Sequence, residues 1–196
     1  MISYKREVES LVQFDHPHIV KVYDVFSSET EMFIILEYCS GGSLESIVKS
    51  GKKITPKALF QYSKEISDAI YYIHSNGYEH CDIKPSNILL DQFGRIKLAD
   101  FGLCCPCDDT TTKKQYCGSL SFMSPESLVG KSCDPFKNDV WAFGVTLYYI
   151  IKRKLPFKGD NLPDLLRDID LGYELPSTTP FQIREKVTKL FFESPP

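Results

Sequence analysis

The chain has 196 residues, of which 42% are hydrophobic and 25% are charged, and its formal net charge is -3. This content can bury an ordinary core, so we expect a globular chain of one unit or two lobes and exclude a disordered one. The slightly acidic charge excludes a basic surface for nucleic acid or anionic membranes, and the longest apolar run, at 140–150, is too short to span a bilayer.

The N-terminal segment MISYKREVES carries charges and no apolar core, so we expect no signal peptide and a cytoplasmic chain, with the nucleus as the alternative. The seven cysteines have no regular spacing, which is typical of reduced intracellular thiols. Cys104, Cys107 and Cys117 are the one set that suggests a zinc site. Because a structural zinc site normally has four ligands, we interpret this stretch as an ordinary loop without a metal.

The first predicted elements are one helix and two strands. Apolar residues recur at helical spacing over about 3–14, and β-rich runs follow at 19–26 and 32–38. A long amphipathic helix is predicted to begin at Thr55, a good N-cap before a proline, and to end at Asn76.

A β-hairpin is predicted after this helix, with short strands at 88–90 and 95–99 around a turn that contains Gly94. An irregular segment rich in Cys, Asp, Thr and Lys is expected to extend from 103 to about 123. Further helices are predicted at 136–152, 161–170 and 181–193. The predicted fold class is therefore α+β, a small helix-and-strand piece followed by a mainly helical part that contains the hairpin.

Polar side chains cluster on the hairpin and on the loop before it. Asp82, Lys84 and Asn87 lie close together in sequence, and a second acid, Asp100, follows the hairpin. A carboxylate and an amide carbonyl are oxygen ligands that Mg2+ accepts, so Asp100 and Asn87 can hold this ion against a triphosphate. Asp82 can then orient the proton of an attacking hydroxyl, while Lys84 stabilises charge on the transferred group. The pattern favours phosphoryl transfer with ATP and Mg2+.

HCDIKPSN at 80–87 and DFG at 100–102 resemble the catalytic loop and the metal-binding motif of eukaryotic protein kinases. Further markers stand in the order that the family has. They are GSLSFM at 118–123, SPE at 124–126 and DVWAFG at 139–144. The resemblance covers most of the chain and implies a protein-kinase-like fold.

The resemblance also implies a division into lobes. Residues 1–38 correspond to a partial N-lobe, with the regulatory helix and the last two strands, and residues 39–196 to a C-lobe that ends before the domain is complete. Nucleotide-binding positions in and near the hinge are implied for Leu36, Glu37, Cys39 and Leu89. Structural or regulatory positions are implied for Glu7, His80, Phe101, Gly102, Ser119, Glu126 and Asp139.

These structural roles differ in kind. Glu7 stands where members have the glutamate that pairs with the ATP-binding lysine, and His80 is expected to pack under Phe101 in a hydrophobic spine. Ser119 is expected to hydrogen-bond Asp82 and Lys84. Asp139 is expected to anchor the backbone of the catalytic loop, and Glu126 and Gly102 to be structural.

Lys84 followed by Pro85 resembles the serine/threonine members, so the resemblance implies transfer of the ATP γ-phosphoryl group to hydroxyls of protein substrates. The predicted helices and the segment PFKGDN at 156–161 resemble, in a general way, the calcium/calmodulin-dependent group of protein kinases. Aminoglycoside and choline kinases share a similar loop and metal acid. The segment at 103–126 argues against that alternative, because a small acceptor needs no long docking platform.

Two departures from the family pattern affect these expectations. Cys81 replaces an arginine that pairs with a loop phosphate in many members, so we expect activity that does not depend on phosphorylation at 110–112. No Gly-rich loop or V-A-I-K lysine precedes Glu7, so we expect an N-terminally truncated domain whose isolated chain turns over poorly. The alternative is a pseudokinase or scaffold that binds protein partners through its helical lobe, and a regulatory protein partner is left open.

Overall fold

The structure is a computed structural model, and it describes residues 12–28, 31–107, 118–130, 134–159 and 161–192. Several predictions fall outside the described residues, namely those for Glu7, for residues 110–112, for Cys117 and for most of the helix over 3–14.

The first sheet is an antiparallel hairpin of β1 (Val22–Ser27) and β2 (Met32–Leu36). The rings of Phe26 and Phe33 stack across it with centroids 5.1 Å apart. β1 begins later than predicted because the preceding residues pair elsewhere: Val20 N–H donates to the carbonyl of Leu98 at 2.9 Å. This bond ties the start of the hairpin to the rest of the core.

Two helices follow, α1 (Leu44–Lys49) and α2 (Pro56–Ser75). Thr55 caps α2 as predicted, since its side chain accepts a hydrogen bond from the N–H of Ala58 at 3.2 Å. Asn76 is the C-cap, and one apolar face of α2 is buried in the core. The sequence did not indicate α1, whose six residues are too few for a helical period to be recognised.

Two small antiparallel sheets carry the polar loop. β3 (Tyr78–Glu79) pairs with β6 (Cys105–Pro106), and β4 (Ile88–Leu90) pairs with β5 (Ile96–Leu98). The β4–β5 hairpin confirms the prediction, with Gly94 at φ 76° in its turn. The pair β3–β6 joins segments more than twenty residues apart and was not predicted.

The short helix α3 (Pro125–Leu128) was not predicted. Three further helices lie near their predicted positions: α4 (Pro135–Lys152), α5 (Leu162–Leu171) and α6 (Phe181–Phe192). α4 runs through the middle of the core, and α6 packs along it. Within the described ranges, no helix combines the length and apolar character needed to cross a bilayer. The architecture is α+β, as the sequence predicted.

Candidate active site

The backbone before Asp82 is held by a buried carboxylate. Asp139, on α4, is 1% exposed, and its Oδ2 and Oδ1 accept the N–H groups of His80 at 2.8 Å and Cys81 at 3.0 Å. His74 Nε2 lies 2.9 Å from Oδ2 of the same acid. Cys81 has φ 68°, which is rare for a residue with a side chain, and these hydrogen bonds offset that strain.

His80 links three segments of the site. Its ring is fully buried at 4.7 Å from the Phe101 ring, which in turn lies 5.6 Å from the Phe14 ring. Nδ1 accepts the N–H of Asp82 at 3.2 Å, so Nε2 carries the proton and donates to the carbonyl of Ala99 at 3.2 Å. Burial lowers the pKa of His80, which keeps the ring neutral. The geometry fits a packing residue rather than an acid or base.

Asp82 lies at the centre of a connected polar network. Asn87 Nδ2 donates to both the carbonyl and Oδ2 of Asp82 at 2.9 Å. Lys84 Nζ forms an ion pair with Oδ2 and donates to Ser119 Oγ at 3.0 Å. Ser119 Oγ donates to Oδ1 of Asp82 at 3.2 Å. The network fixes the carboxylate between an ammonium, an amide and a hydroxyl.

Asp100 is connected to this network by a backbone hydrogen bond of its neighbour Ala99. The N–H of Ala99 donates to the carbonyl of Asn87 at 2.9 Å, which places Asp100 one residue beyond the pairing. Asp100 has φ 64° and an exposed side chain, and Gly102 is half-buried. Asp100 offers an exposed carboxylate, and Asn87 offers an amide oxygen on a side chain held by Asp82. Both are oxygen ligands that suit Mg2+, so these residues fit the predicted ion.

The predicted nucleotide positions lie on β2, the segment after it, and β4. Leu36 is 43% exposed, and Cys39 and Leu89 are half-buried. Burial, with a further contribution from Glu37, raises the pKa of the Cys39 thiol. Glu37 forms an ion pair with Lys97 Nζ at 2.8 Å. The contact of Lys97 with Glu37 was not predicted, because β5 and the segment after β2 are distant in sequence and meet only in the folded chain.

Gly41 is a second residue near these positions that the sequence did not indicate. Its N–H donates to the carbonyl of Leu90 at 2.9 Å, and a Cβ at this position would lie 2.7 Å from Leu90 Cβ. Only glycine allows this approach. The contact brings the segment before α1 against β4, close to Leu89.

The segment that carries Ser119 is packed on the catalytic loop. Gly118 has φ 96°, and a Cβ there would collide with the Cys81 carbonyl. Ser124 caps α3 and its N–H donates to Asn138 Oδ1 at 3.0 Å. Glu126 lies in the first turn of α3 with an exposed side chain. Of the predicted residues, Ser119 is therefore in the network and Glu126 is outside it.

The model of the family described as "Protein kinase domain" matches residues 2–191. The chain belongs to this family. It is 33% identical to NUAK family SNF1-like kinase 1 of Mus musculus over 195 residues, covering 100% of the chain and 30% of that protein. It is 34% identical to the carbon catabolite-derepressing protein kinase of Secale cereale, covering 97% of the chain and 39% of that protein.

A third relative of this kinase domain is serine/threonine protein kinase OSK3 of Oryza sativa subsp. indica, at 37% identity over 97% of the chain and 38% of that protein. The kinase domain thus spans 30% to 39% of the length of these relatives. Protein kinases generally use ATP and Mg2+ and act on protein substrates.

Proposed function

We propose that the chain is the catalytic part of a protein serine/threonine kinase, which transfers the γ-phosphoryl group of ATP to serine or threonine hydroxyls. The network of Asp82, Lys84, Asn87 and Ser119 is the observation that carries the proposal. The name of the Oryza sativa relative agrees with this acceptor class. Cytoplasmic localisation and a regulatory partner stay predictions.

Each residue of the network has a distinct task in this proposal. Asp82 accepts a hydrogen bond from the acceptor hydroxyl and aims its oxygen at the phosphorus. Lys84 is held by Asp82 and Ser119. Its positive charge stabilises the negative charge that develops on the phosphoryl group during transfer. Asn87 and Asp100 supply the oxygens that would hold Mg2+, and this ion neutralises phosphate charge when bound.

The fixed geometry matters more than the acidity of any one group. Phosphoryl transfer asks little covalent chemistry of the protein, so positioning and charge stabilisation provide most of the acceleration. Asp82 and Asn87 are both buried and joined by two hydrogen bonds, which limits their motion. The acceptor therefore meets a preorganised carboxylate.

The test compares Asp82→Asn and Asp100→Asn with wild type in the complete reading frame that contains this chain. We expect incorporation of radiolabelled phosphate from ATP into a protein substrate to fall by about 100-fold or more in each variant. Asp68→Asn is the matched control, because Asp68 is a partly exposed acid whose ion pair is with Lys64 and not with the network of Asp82. Phosphoamino acid analysis should show labelled serine and threonine.

Other results contradict the proposal in different ways. Undiminished labelling in Asp82→Asn would remove Asp82 from the reaction. Label on tyrosine alone would refute the acceptor class. A wild-type protein without any labelling would favour the scaffold alternative.

A further inference from the structure

A second polar cluster lies next to the network of Asp82 and includes the residue that precedes Asp82. It consists of Glu79, Cys81 and Cys105, whose ligand atoms all lie within 4.8 Å of one another. The two sulfur atoms are 3.8 Å apart, and Cys105 Sγ lies 3.1 Å from Glu79 Oε1. None of the three takes part in the phosphoryl transfer proposed above.

The backbone fixes each member of the cluster separately. Glu79 on β3 is directly opposite Cys105 on β6, so their side chains share one face of this small sheet. Cys81 is held in its left-handed conformation by Asp139. Three ligand atoms from two segments are thus brought together before any ligand binds.

We propose that Glu79, Cys81 and Cys105 form a binding site for a zinc-class divalent cation. Two sulfurs bound to one tetrahedral zinc at about 2.3 Å lie about 3.8 Å apart, which is the separation seen here. In the structure the same 3.8 Å is an S–H···S contact between the two thiols, which would lose their protons and bind the ion as thiolates. A carboxylate oxygen is a normal third ligand, and water can fill the fourth position.

Charge also favours a cation at this place. Within the part of the chain that the structure describes, no lysine or arginine forms an ion pair with Glu79. Glu79 and Cys105 are half-buried, while Cys81 is buried, so the cluster has an outer and an inner side. A bound ion would tie the residue before Asp82 to the strand that follows Gly102.

This site differs from the zinc set considered in the sequence. Cys104 is buried in the hydrophobic core and is not part of the cluster, although it is the neighbour of Cys105. The proposed ligands are residues 79, 81 and 105, and this wide spacing matches no zinc-binding motif that could be recognised in the sequence. The core position of Cys104 makes it a close control.

The experiment titrates the whole chain, purified without metal, with Co2+ as a spectroscopic substitute for zinc. We expect about one equivalent per chain, with the near-ultraviolet charge-transfer band of a thiolate ligand and the visible bands of a tetrahedral ion. Cys105→Ala and Cys81→Ala should each weaken binding by about tenfold or more, and Glu79→Gln should alter the visible bands. Cys104→Ala should bind as wild type does. Circular dichroism checks that each variant is folded.

Several outcomes would overturn the proposal. One is a wild-type chain that shows no thiolate band. Another is an equal loss of Co2+ affinity in Cys104→Ala and Cys105→Ala, which would indicate unspecific binding to thiols. A third is a Cys81–Cys105 disulfide after peroxide treatment in a chain that takes up no metal. The experiment measures metal binding, so a negative result would count against the metal site and not against the proposed kinase activity.

Discussion

Asp139 is a buried acid on α4 whose two carboxylate oxygens accept the backbone N–H groups of His80 and Cys81. It touches neither the acceptor nor the nucleotide in the proposed reaction. Its effect reaches Asp82 because the N–H of Asp82 in turn donates to the His80 ring. A positioning residue of this kind should affect stability and activity together.

We expect Asp139→Asn to lower the free energy of unfolding by about 3 kcal/mol, because the amide presents a donor to a buried N–H that needs an acceptor. Asp134→Asn makes the same chemical change at the N-cap of the same helix, where asparagine is also a good cap, and should cost under about 0.5 kcal/mol. Urea unfolding measures both variants. Equal stabilities would show that the anchor contributes nothing.

The β4–β5 hairpin shows, at the level of the element, how one carboxylate closes a turn. Asp91 Oδ1 accepts the N–H groups of Phe93 at 2.8 Å and Arg95 at 2.9 Å, and Oδ2 accepts Arg95 Nε at 2.7 Å. Burial acts to raise the pKa of Asp91, but these hydrogen bonds outweigh burial and hold the pKa below its ordinary value. The turn therefore depends on an ionised group.

Asp91→Asn should lower the free energy of unfolding at neutral pH by about 1 kcal/mol, through loss of the charge-assisted bond to Arg95. A carboxyl whose pKa is depressed in the folded chain stabilises it above the ordinary pKa of 3.8. The difference between wild type and variant should therefore shrink as the pH falls below that value. Urea unfolding across this pH range, with Asp68→Asn as control, would contradict the prediction if the difference stayed constant.

Elements with a strong local signal could be predicted from the sequence. α2 has an N-cap threonine before proline and a long apolar face, and the β4–β5 hairpin has two short apolar runs around a glycine turn. The β3–β6 pair could not be predicted, because two residues on each strand carry no period and their partner is distant in sequence. The cluster of Glu79, Cys81 and Cys105 depends on this pair and was missed with it.

The same contrast holds for the site in the whole molecule. Asp82, Lys84 and Asn87 share one loop, so their proximity follows from the sequence itself. The ion pair of Lys97 and Glu37 does not, because it forms only where the chain after β2 crosses β5. Long-range packing decides such contacts, and motif spacing gives no information on them.

α4 and α6 join the middle of the molecule to its C-terminal end through an aromatic cluster. The ring of Phe191 lies 4.9 Å from Trp141, 5.6 Å from Phe157 and 4.9 Å from Tyr173. Gly144, on α4, leaves room for this ring, since a Cβ there would lie 2.9 Å from Phe191 Cε1. Alanine would gain about 1 kcal/mol of helix propensity, but overpacking costs about 1–3 kcal/mol.

We therefore expect Gly144→Ala to lower the free energy of unfolding by about 1 kcal/mol, because the rigid ring cannot move without disturbing the cluster. Phe191→Leu alone should also destabilise the chain, by loss of ring contacts. In the double variant the smaller side chain makes room for the added methyl group, so the two losses should be less than additive. Urea unfolding of the four proteins measures this coupling. Strict additivity, or a Gly144→Ala chain more stable than wild type, would show that α6 does not need glycine at this position.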